Sequence, residues 1–240
     1  MIKIKNLHKS FNSQHVLKGI NLDIPEGKIT VILGSSGIGK SVLLKLIIGL
    51  LKPDRGQVVV DGMDFALLDS EGANNLRKRF GMLFQNAALF DSLTVLDNVK
   101  FPLVEHTDFT EEKINQVAHR KLELVGMAED GYKMPSELSG GMKKRVGLAR
   151  AIALEPRIIL YDEPTTGLDP IMVGAIDNLI LDMQKKLDIT SVVISHDIKS
   201  ALKIADKMAM IDNGTIIEEG TPEEFRRSSN PIVQRFINQS

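Results

Sequence analysis

Apolar and polar positions alternate from the first residues: Ile2-Lys-Ile-Lys-Asn-Leu7 has a period near two, and Val16 to Ile24 repeats it. Two strands are predicted, with Asn12-Ser13-Gln14 as the turn between them. Ile29-Thr-Val-Ile-Leu33 is a short apolar run, as in a strand covered on both faces, and a glycine-rich loop follows it. Lys40 to Leu50 has helical length and is apolar on most sides, as a buried helix should be. Lys52-Pro-Asp-Arg-Gly56 breaks that helix, and Gln57 to Asp61 reads as another strand.

From about Leu93 to Glu137 the texture turns helical. Thr94-Val-Leu-Asp-Asn and Thr110-Glu-Glu-Lys are helix starts, the second with a capping hydroxyl and early acids. Leu122 and Val125 supply apolar positions at helical spacing, so the stretch reads as a helical insertion in a β-containing core. Ile158–Tyr161, Ser191–Ile194 and Met208–Ile211 are β-rich runs separated by helical stretches, which predicts a largely parallel, covered sheet. Asn213-Gly214 has the chemistry of a type I′ hairpin and gives that sheet an antiparallel margin. Two short helix candidates close the chain, Pro222-Glu-Glu-Phe and Ile232-Val-Gln-Arg-Phe236, packing on their own domain or reaching a partner.

Composition removes several classes of function. Thirty Lys/Arg against 31 Asp/Glu leave a formal charge of -1, which excludes a strongly basic polymer binder and any global field for nucleic acid but leaves a local basic groove possible. The absence of cysteine excludes disulfides, Cys-ligated zinc, iron–sulfur clusters and thiol nucleophiles, and fits a reducing compartment. Five histidines, at 8, 15, 106, 119 and 196, form no pair at one-turn helical spacing, which argues against a histidine metal centre. No signal-peptide stretch follows the first strand. The most apolar segment, Val42–Leu51, contains Lys45 and falls well short of the roughly 20 residues of a membrane span, so this chain is not expected to cross a membrane by itself.

Gly34-Ser35-Ser36-Gly37-Ile38-Gly39-Lys40-Ser41 fits G-x-x-x-x-G-K-[ST] between a predicted strand and a predicted helix. Glycines let the backbone curl until successive N–H groups form an anion nest, and the helix beginning near Lys40 adds its positive end. Lys40 would reach β- and γ-phosphates, and the Ser41 hydroxyl would ligate magnesium. Arg157-Ile-Ile-Leu-Tyr-Asp162-Glu163 suits a buried strand whose C-terminal end meets a charged ligand, with Asp162 in the magnesium shell and Glu163 polarising a water. His196 follows Ser191-Val-Val-Ile-Ser at another strand end.

Leu138-Ser139-Gly140-Gly141-Met142-Lys-Lys-Arg145 narrows the class. With Phe11, Gly34–Ser41, Gln85, Asp162-Glu163, Gly167-Leu-Asp169 and His196 in the same order, the chain resembles the ATP-binding subunit of an ABC transporter over nearly its whole length. The resemblance implies an α/β fold of the P-loop NTPase class, an ABC ATPase with a RecA-like core, an N-terminal antiparallel β-subdomain and an inserted α-helical subdomain. Residues 1–240 would be one ATP-binding domain, with core and β-subdomain near 1–92 and 154–220, helices near 93–153, and a tail at 221–240. It implies ATP and Mg2+ as cofactors. Phe11 would stack on adenine with Val16 beside it, and Gly34 through Val42 would hold the phosphates. Ser41, Gln85 and Asp162 would face magnesium, while Lys40, Gln85, Glu163 and His196 would serve catalysis.

Ser139, Gly140, Gly141 and Met142 match the signature that faces the γ-phosphate of the opposite subunit, and Asp169 matches the loop between the two sites. A homodimer with composite sites is therefore implied. Met142 stands where the family most often has glutamine; hydrolysis is expected to survive, while contacts made by that glutamine are in doubt. Lys143-Lys144-Arg145 lies near a helix start and opposes its dipole, either drawn to phosphates or an acidic partner or forming a solvated face.

Ala88 to Leu103, read as Leu-Phe-Asp-Ser-Leu-Thr-Val and then Phe-Pro-Leu, is similar to the Mla/Mce phospholipid-transport ATPases. That resemblance implies integral-membrane permease partners, an MCE-domain lipid-binding protein, a STAS-type subunit, and a place on the cytoplasmic face of a bacterial inner membrane. A transporter for another small solute remains the nearest alternative. ABC ATPases that act on nucleic acid carry coiled-coil arms, tandem domains or zinc insertions, for which this sequence has no matching pattern.

Overall fold

The computed structural model describes residues 1–12 and 14–238, so Ser13 of the predicted first turn and Gln239 and Ser240 of the tail lie outside the described residues. In chain order the elements are β1 (Ile2–Phe11), β2 (Gln14–Ile24), β3 (Ile29–Leu33), α1 (Lys40–Ile47), β4 (Arg55–Val60), β5 (Met63–Asp64), α2 (Ser70–Arg77), β6 (Phe80–Leu83), α3 (Val95–His106), α4 (Glu111–Leu124) and α5 (Gly140–Ala151). They continue with β7 (Ile158–Asp162), α6 (Pro170–Leu187), β8 (Thr190–Ser195), α7 (Ile198–Ile204), β9 (Lys207–Asp212), β10 (Thr215–Gly220), α8 (Pro222–Arg226) and α9 (Pro231–Asn238).

The strands form an antiparallel sheet of order β2-β1-β4-β5 and a second sheet of order β10-β9-β3-β8-β7-β6. In the second, β9, β3, β8, β7 and β6 run parallel, and β10 returns antiparallel to β9. The predicted hairpin is there: Asn213 and Gly214 both have positive φ, 47° and 82°, as a type I′ turn requires.

Alternation along the parallel strands divides the interior into two layers. Val31, Leu33, Ile159, Tyr161, Val193, Met208 and Met210 face one cluster, shared with apolar residues of α3 to α7. Ile32, Leu160, Val192, Ile194, Ala209 and Ile211 face the other, closed by Leu43, Leu44 and Ile47 of α1 and by Ile2, Ile4, Leu17 and Ile20 of the antiparallel sheet. Covered on both faces, β3 is buried throughout, which is why all its residues but Thr30 are apolar.

Some boundaries differ from the sequence reading for local reasons. β1 continues to Phe11, four residues past Leu7, because its pairing shifts register between Ile4 and Leu7. Asn6, at φ 45°, is the bulged residue and donates its N–H to Asn21 Oδ1 at 2.9 Å, so the strand goes on although the period-two pattern stops. α1 ends at Ile47 rather than Leu50, because Gly49 turns left-handed at φ 69° and the Leu50 N–H bonds back to the Lys45 carbonyl. α2 has no counterpart in the predicted elements; its start is capped by Asp69, which accepts from the Gly72 N–H. Thr94 and Thr110 cap α3 and α4 as expected, accepting from the Asp97 and Lys113 N–H groups.

Candidate functional site

Register brings three of the motifs together. Leu33 pairs with Ser195, and Ile194 with Asp162, so β3, β8 and β7 end side by side. The phosphate loop, His196 and Asp162-Glu163 therefore issue from adjoining strand ends, where open α/β sheets place their ligands.

In the loop, Gly34 is buried while Ser35, Ser36 and Gly37 are exposed. Gly39 takes φ 105°, and a Cβ there would stand 2.7 Å from Val16 Cγ1. That close approach puts Val16 directly beneath the start of α1. Lys40 is buried; its Nζ donates to the Gly34 carbonyl at 2.6 Å and the Ser35 carbonyl at 3.0 Å, and lies 3.3 Å from Glu163 Oε1. Phe11 is 42% exposed at the end of β1, with Lys9 Nζ 5.4 Å from its ring centroid. Ile38 and Val42 are half-buried and pack on the cluster beneath the loop.

Ser41 Oγ donates to Asp162 Oδ1 at 3.2 Å. Burial raises the Asp162 carboxyl above its usual range, the Ser41 hydrogen bond and the cations Lys45 and Lys144 oppose the shift, and Glu163 adds to it. A hydroxyl beside a half-desolvated carboxylate is a fitting donor set for a magnesium ion that takes its remaining ligands from phosphates and water.

Glu163 is 8% exposed and left-handed at φ 50°. Its Oε2 accepts from Thr166 Oγ1 at 3.1 Å and is 2.7 Å from His196 Nδ1, while its N–H donates to the Ile194 carbonyl at 3.0 Å. Gln85 is exposed in the turn after β6, and its carbonyl accepts from Lys144 Nζ. Thr166 is absent from the sequence reading, and Lys144 enters it only as one of three consecutive cations. Thr166 carried a weak signal, a hydroxyl three residues after Glu163. Lys144 corrects the solvated-face alternative for Lys143–Arg145, since it is buried and Arg145 is engaged with the Val125 carbonyl at 2.8 Å.

Ser139 caps α5, its Oγ accepting from the Met142 N–H at 3.3 Å. A hydroxyl has one donor and two acceptor positions, so capping leaves its hydrogen available to a ligand. Gly140 and Gly141 open the helix, and Met142 packs on the apolar cluster shared by the helices. No hydrogen bond or ion pair among the described residues joins Ser139–Met142 to the phosphate loop. These residues adjoin the Asp169 segment: a Cβ on Gly140 would meet Leu168, and one on Gly141 would meet Met172. Asp169 caps α6, accepting from the Ile171 and Met172 N–H groups at 3.0 and 3.1 Å.

Away from the phosphate loop, a cavity of about 1040 Å³ opens between β6 and the helical segment, lined by Phe84, Ala88, Phe90, Phe101 and Arg150 among others. The Phe90 and Phe101 rings pack with centroids 4.6 Å apart, and the Arg150 guanidinium lies 5.7 Å from the Phe90 centroid. Among the described residues, no helix is long and apolar enough to cross a membrane.

A profile of the ABC transporter family matches residues 17–166. The intermembrane phospholipid transport system ATP-binding protein MlaF of Haemophilus influenzae is 46% identical over 237 residues, covering 99% of this chain and 90% of its own length. The protein named probable ribonucleotide transport ATP-binding protein mkl of Mycobacterium leprae is 43% identical over 237 residues, 99% of this chain and 68% of that one. Among solved structures, the dimeric post-hydrolysis state of an ATP-binding cassette bound to ADP and Pi is similar with a TM-score of 0.84 and 33% identity, over 92% of this chain and 99% of that one.

Proposed function

This chain belongs to the ABC transporter family as an ATP-hydrolysing subunit, and we propose that it drives phospholipid movement between the membranes of a bacterial envelope. The likeness to MlaF, 46% identity over nearly the full length of both chains, carries the lipid reading. The mycobacterial relative named for ribonucleotide transport extends well beyond this chain, which spans 68% of it.

In this reading residues 34–42 bind the phosphates of ATP through backbone N–H groups and the start of α1, with Lys40 supplying positive charge. Phe11 stacks on adenine and Val16 packs beside it. Ser41, Asp162 and Gln85 hold Mg2+, which neutralises charge on the β- and γ-phosphates when bound with the nucleotide. Glu163 takes the proton of the attacking water as the water oxygen bonds to the γ-phosphorus. The bond from that phosphorus to the bridging oxygen breaks, releasing ADP and phosphate. His196 and Thr166, bonded to Glu163 Oε2, orient the carboxylate.

ABC cassettes act as dimers with membrane permease components. In the homodimer proposed here, Ser139–Met142 of one subunit close on the nucleotide of the other, and Asp169 links the two sites. The division into core with β-subdomain (1–92 and 154–220), helical subdomain (93–153) and tail (221–240) assigns the phosphate site and the signature to separate parts. The aromatic groove at Phe84, Phe90 and Phe101 receives a helix of the permease, which holds the chain at the cytoplasmic face of the inner membrane. An MCE-domain protein and a STAS-type subunit complete the assembly.

The test is a gentle pull-down of the tagged chain from native membranes, identifying co-purifying proteins and bound lipid. A permease with an MCE-domain protein and phospholipid is expected. Recovery with a solute-binding importer would overturn the lipid reading and leave the ATPase assignment standing.

A further inference from the structure

Lys144 occupies the fifth position of α5, inside the Lys143-Lys144-Arg145 run. Its side chain is buried, at 4% exposure, and its ammonium lies where two strand ends meet. Nζ donates to the carbonyl of Gln85, in the turn after β6, and at 3.1 Å to the carbonyl of Glu163, in the turn after β7. Burial lowers the Lys144 pKa, against the attraction of the Asp162 and Glu163 carboxylates.

An ammonium in that position is costly to bury unless its donors are satisfied. The two carbonyls that satisfy it belong to the glutamine and the glutamate that the proposed function places at the reaction. Glu163 also sits at φ 50°, a conformation a non-glycine residue keeps only where its surroundings impose it. Ile194 fixes the N–H side of Glu163 and Lys144 the C=O side, so both adjoining peptide planes are set and the carboxylate is aimed at Lys40 and His196. Gln85 lies next to Phe84, which lines the groove, so the same ammonium reaches from the groove wall to the acid.

We propose that Lys144 is a positioning residue for ATP hydrolysis, tying the Gln85 turn at the groove to the backbone of Glu163. This rests on the proposed ATPase reading, in which Glu163 accepts the proton from water. Lys144 touches no reacting atom and acts through the two carbonyls. A displacement of the Gln85 turn by a groove ligand is thereby transmitted to the backbone of Glu163.

The experiment compares Lys144→Met, Lys144→Arg and Glu163→Gln in the full chain, measuring kcat, KM and equilibrium ATP affinity, with thermal melts as a check on folding. Lys144→Met keeps most of the apolar stem but loses the donors; its kcat is expected to fall at least about tenfold with KM and ATP affinity within about twofold. Lys144→Arg, which keeps charge and donors, is expected to recover a large part of that loss. If Lys144→Met fails to fold, Lys144→Gln takes its place: its uncharged amide ends one atom short of the Lys144 ammonium, and the same fall in kcat is expected. A kcat within twofold of the parent, or loss of ATP affinity in step with kcat and no recovery by Lys144→Arg, overturns the proposal. Normal turnover in Glu163→Gln would instead remove the base assignment on which it rests.

Discussion

Lys40 Nζ stands 3.3 Å from Glu163 Oε1, so the cation of the phosphate loop and the acid at the end of β7 form one buried ion pair. Both side chains are nearly inaccessible, at 5% and 10% exposure, and each has further partners in the same pocket. Removing the charge of either side chain therefore changes the surroundings of the other.

Glu163→Gln keeps the size of the side chain and should retain ATP affinity while kcat drops by about 10²–10⁴-fold, as when a general base is removed. Lys40→Ala should weaken both ATP binding and turnover, and should also destabilise the fold by leaving the Glu163 carboxylate short of a partner. Loss of one partner of a buried pair costs up to about 3–5 kcal/mol, and here less, because Thr166 and His196 remain. The double variant Lys40→Ala/Glu163→Gln should then melt higher than Lys40→Ala alone. Urea midpoints of the four proteins check this cycle, and strictly additive values would contradict the pairing.

Gly37 and Gly39 separate two costs of the loop. Both are left-handed, at φ 80° and 105°, but a Cβ on Gly37 meets nothing within 4 Å, whereas one on Gly39 meets Val16 and Leu17 at 2.7 and 3.1 Å. Gly37→Ala should cost about 1–2 kcal/mol of backbone strain alone. Gly39→Ala should cost more and push Val16 away from the start of α1; with Val16 beside adenine as proposed, ATP affinity should fall by about tenfold, or about 1.4 kcal/mol. Denaturant melts and a nucleotide titration distinguish the two.

Most of the site was legible because its chemistry is local in sequence. Gly34–Ser41 declares a nest before a helix, and a strand ending in Asp162-Glu163 declares an acid at a sheet edge. That β7 and β8 belong to a largely parallel, covered sheet followed from their β-rich runs and the helical stretches between them, whereas the order that sets β3, β8 and β7 side by side is a matter of pairing that the sequence does not display. Lys144 was illegible because burial depends on which side of α5 meets the sheet, and three consecutive cations look alike in a sequence. The bulge at Asn6 hid the second half of β1, since one extra residue breaks the period-two pattern that identifies a strand. α2 escaped because Ser70-Glu-Gly-Ala-Asn-Asn-Leu-Arg77 buries only Ala73 and Leu76, too few to set a helical period.

Ser139 has two duties that substitution can part. As the cap of α5 it accepts from the Met142 N–H, worth about 1 kcal/mol. In the signature role proposed for it, it would offer its hydrogen to the partner's nucleotide. Ser139→Ala should lose both, Ser139→Asp should keep the cap but bring negative charge towards phosphate, and Ser139→Thr should keep both. Stability should therefore rank alanine lowest, while nucleotide-dependent dimer formation in a Glu163→Gln background should fail for alanine and aspartate alike. Size-exclusion chromatography with ATP reads the second property, and dimers from Ser139→Asp would argue against a γ-phosphate contact.

Asp177 links α6, which Asp169 caps, to α7, which begins just past His196. Its Oδ1 accepts from Ser200 Oγ at 2.5 Å, and Lys203 Nζ lies 3.6 Å from its Oδ2. Burial is the leading cause of a raised pKa at Asp177; Ser200 and Lys203 oppose the shift and Asp197 adds to it. A carboxyl raised in the folded state binds its proton more firmly there than in the unfolded chain. Its contribution to stability is then greatest below the ordinary value of 3.8 and is lost as pH rises through the folded value. Asp177→Asn keeps an acceptor for Ser200 and cannot ionise. The stability of wild type relative to Asp177→Asn should thus decline as pH increases from about 4 towards neutrality, while the other carboxylates cancel in the comparison. Urea midpoints of both proteins at intervals across that range measure it; a constant difference would show that Asp177 titrates alike in the folded and unfolded chains, and one that grows in favour of wild type that it gains by ionising in place.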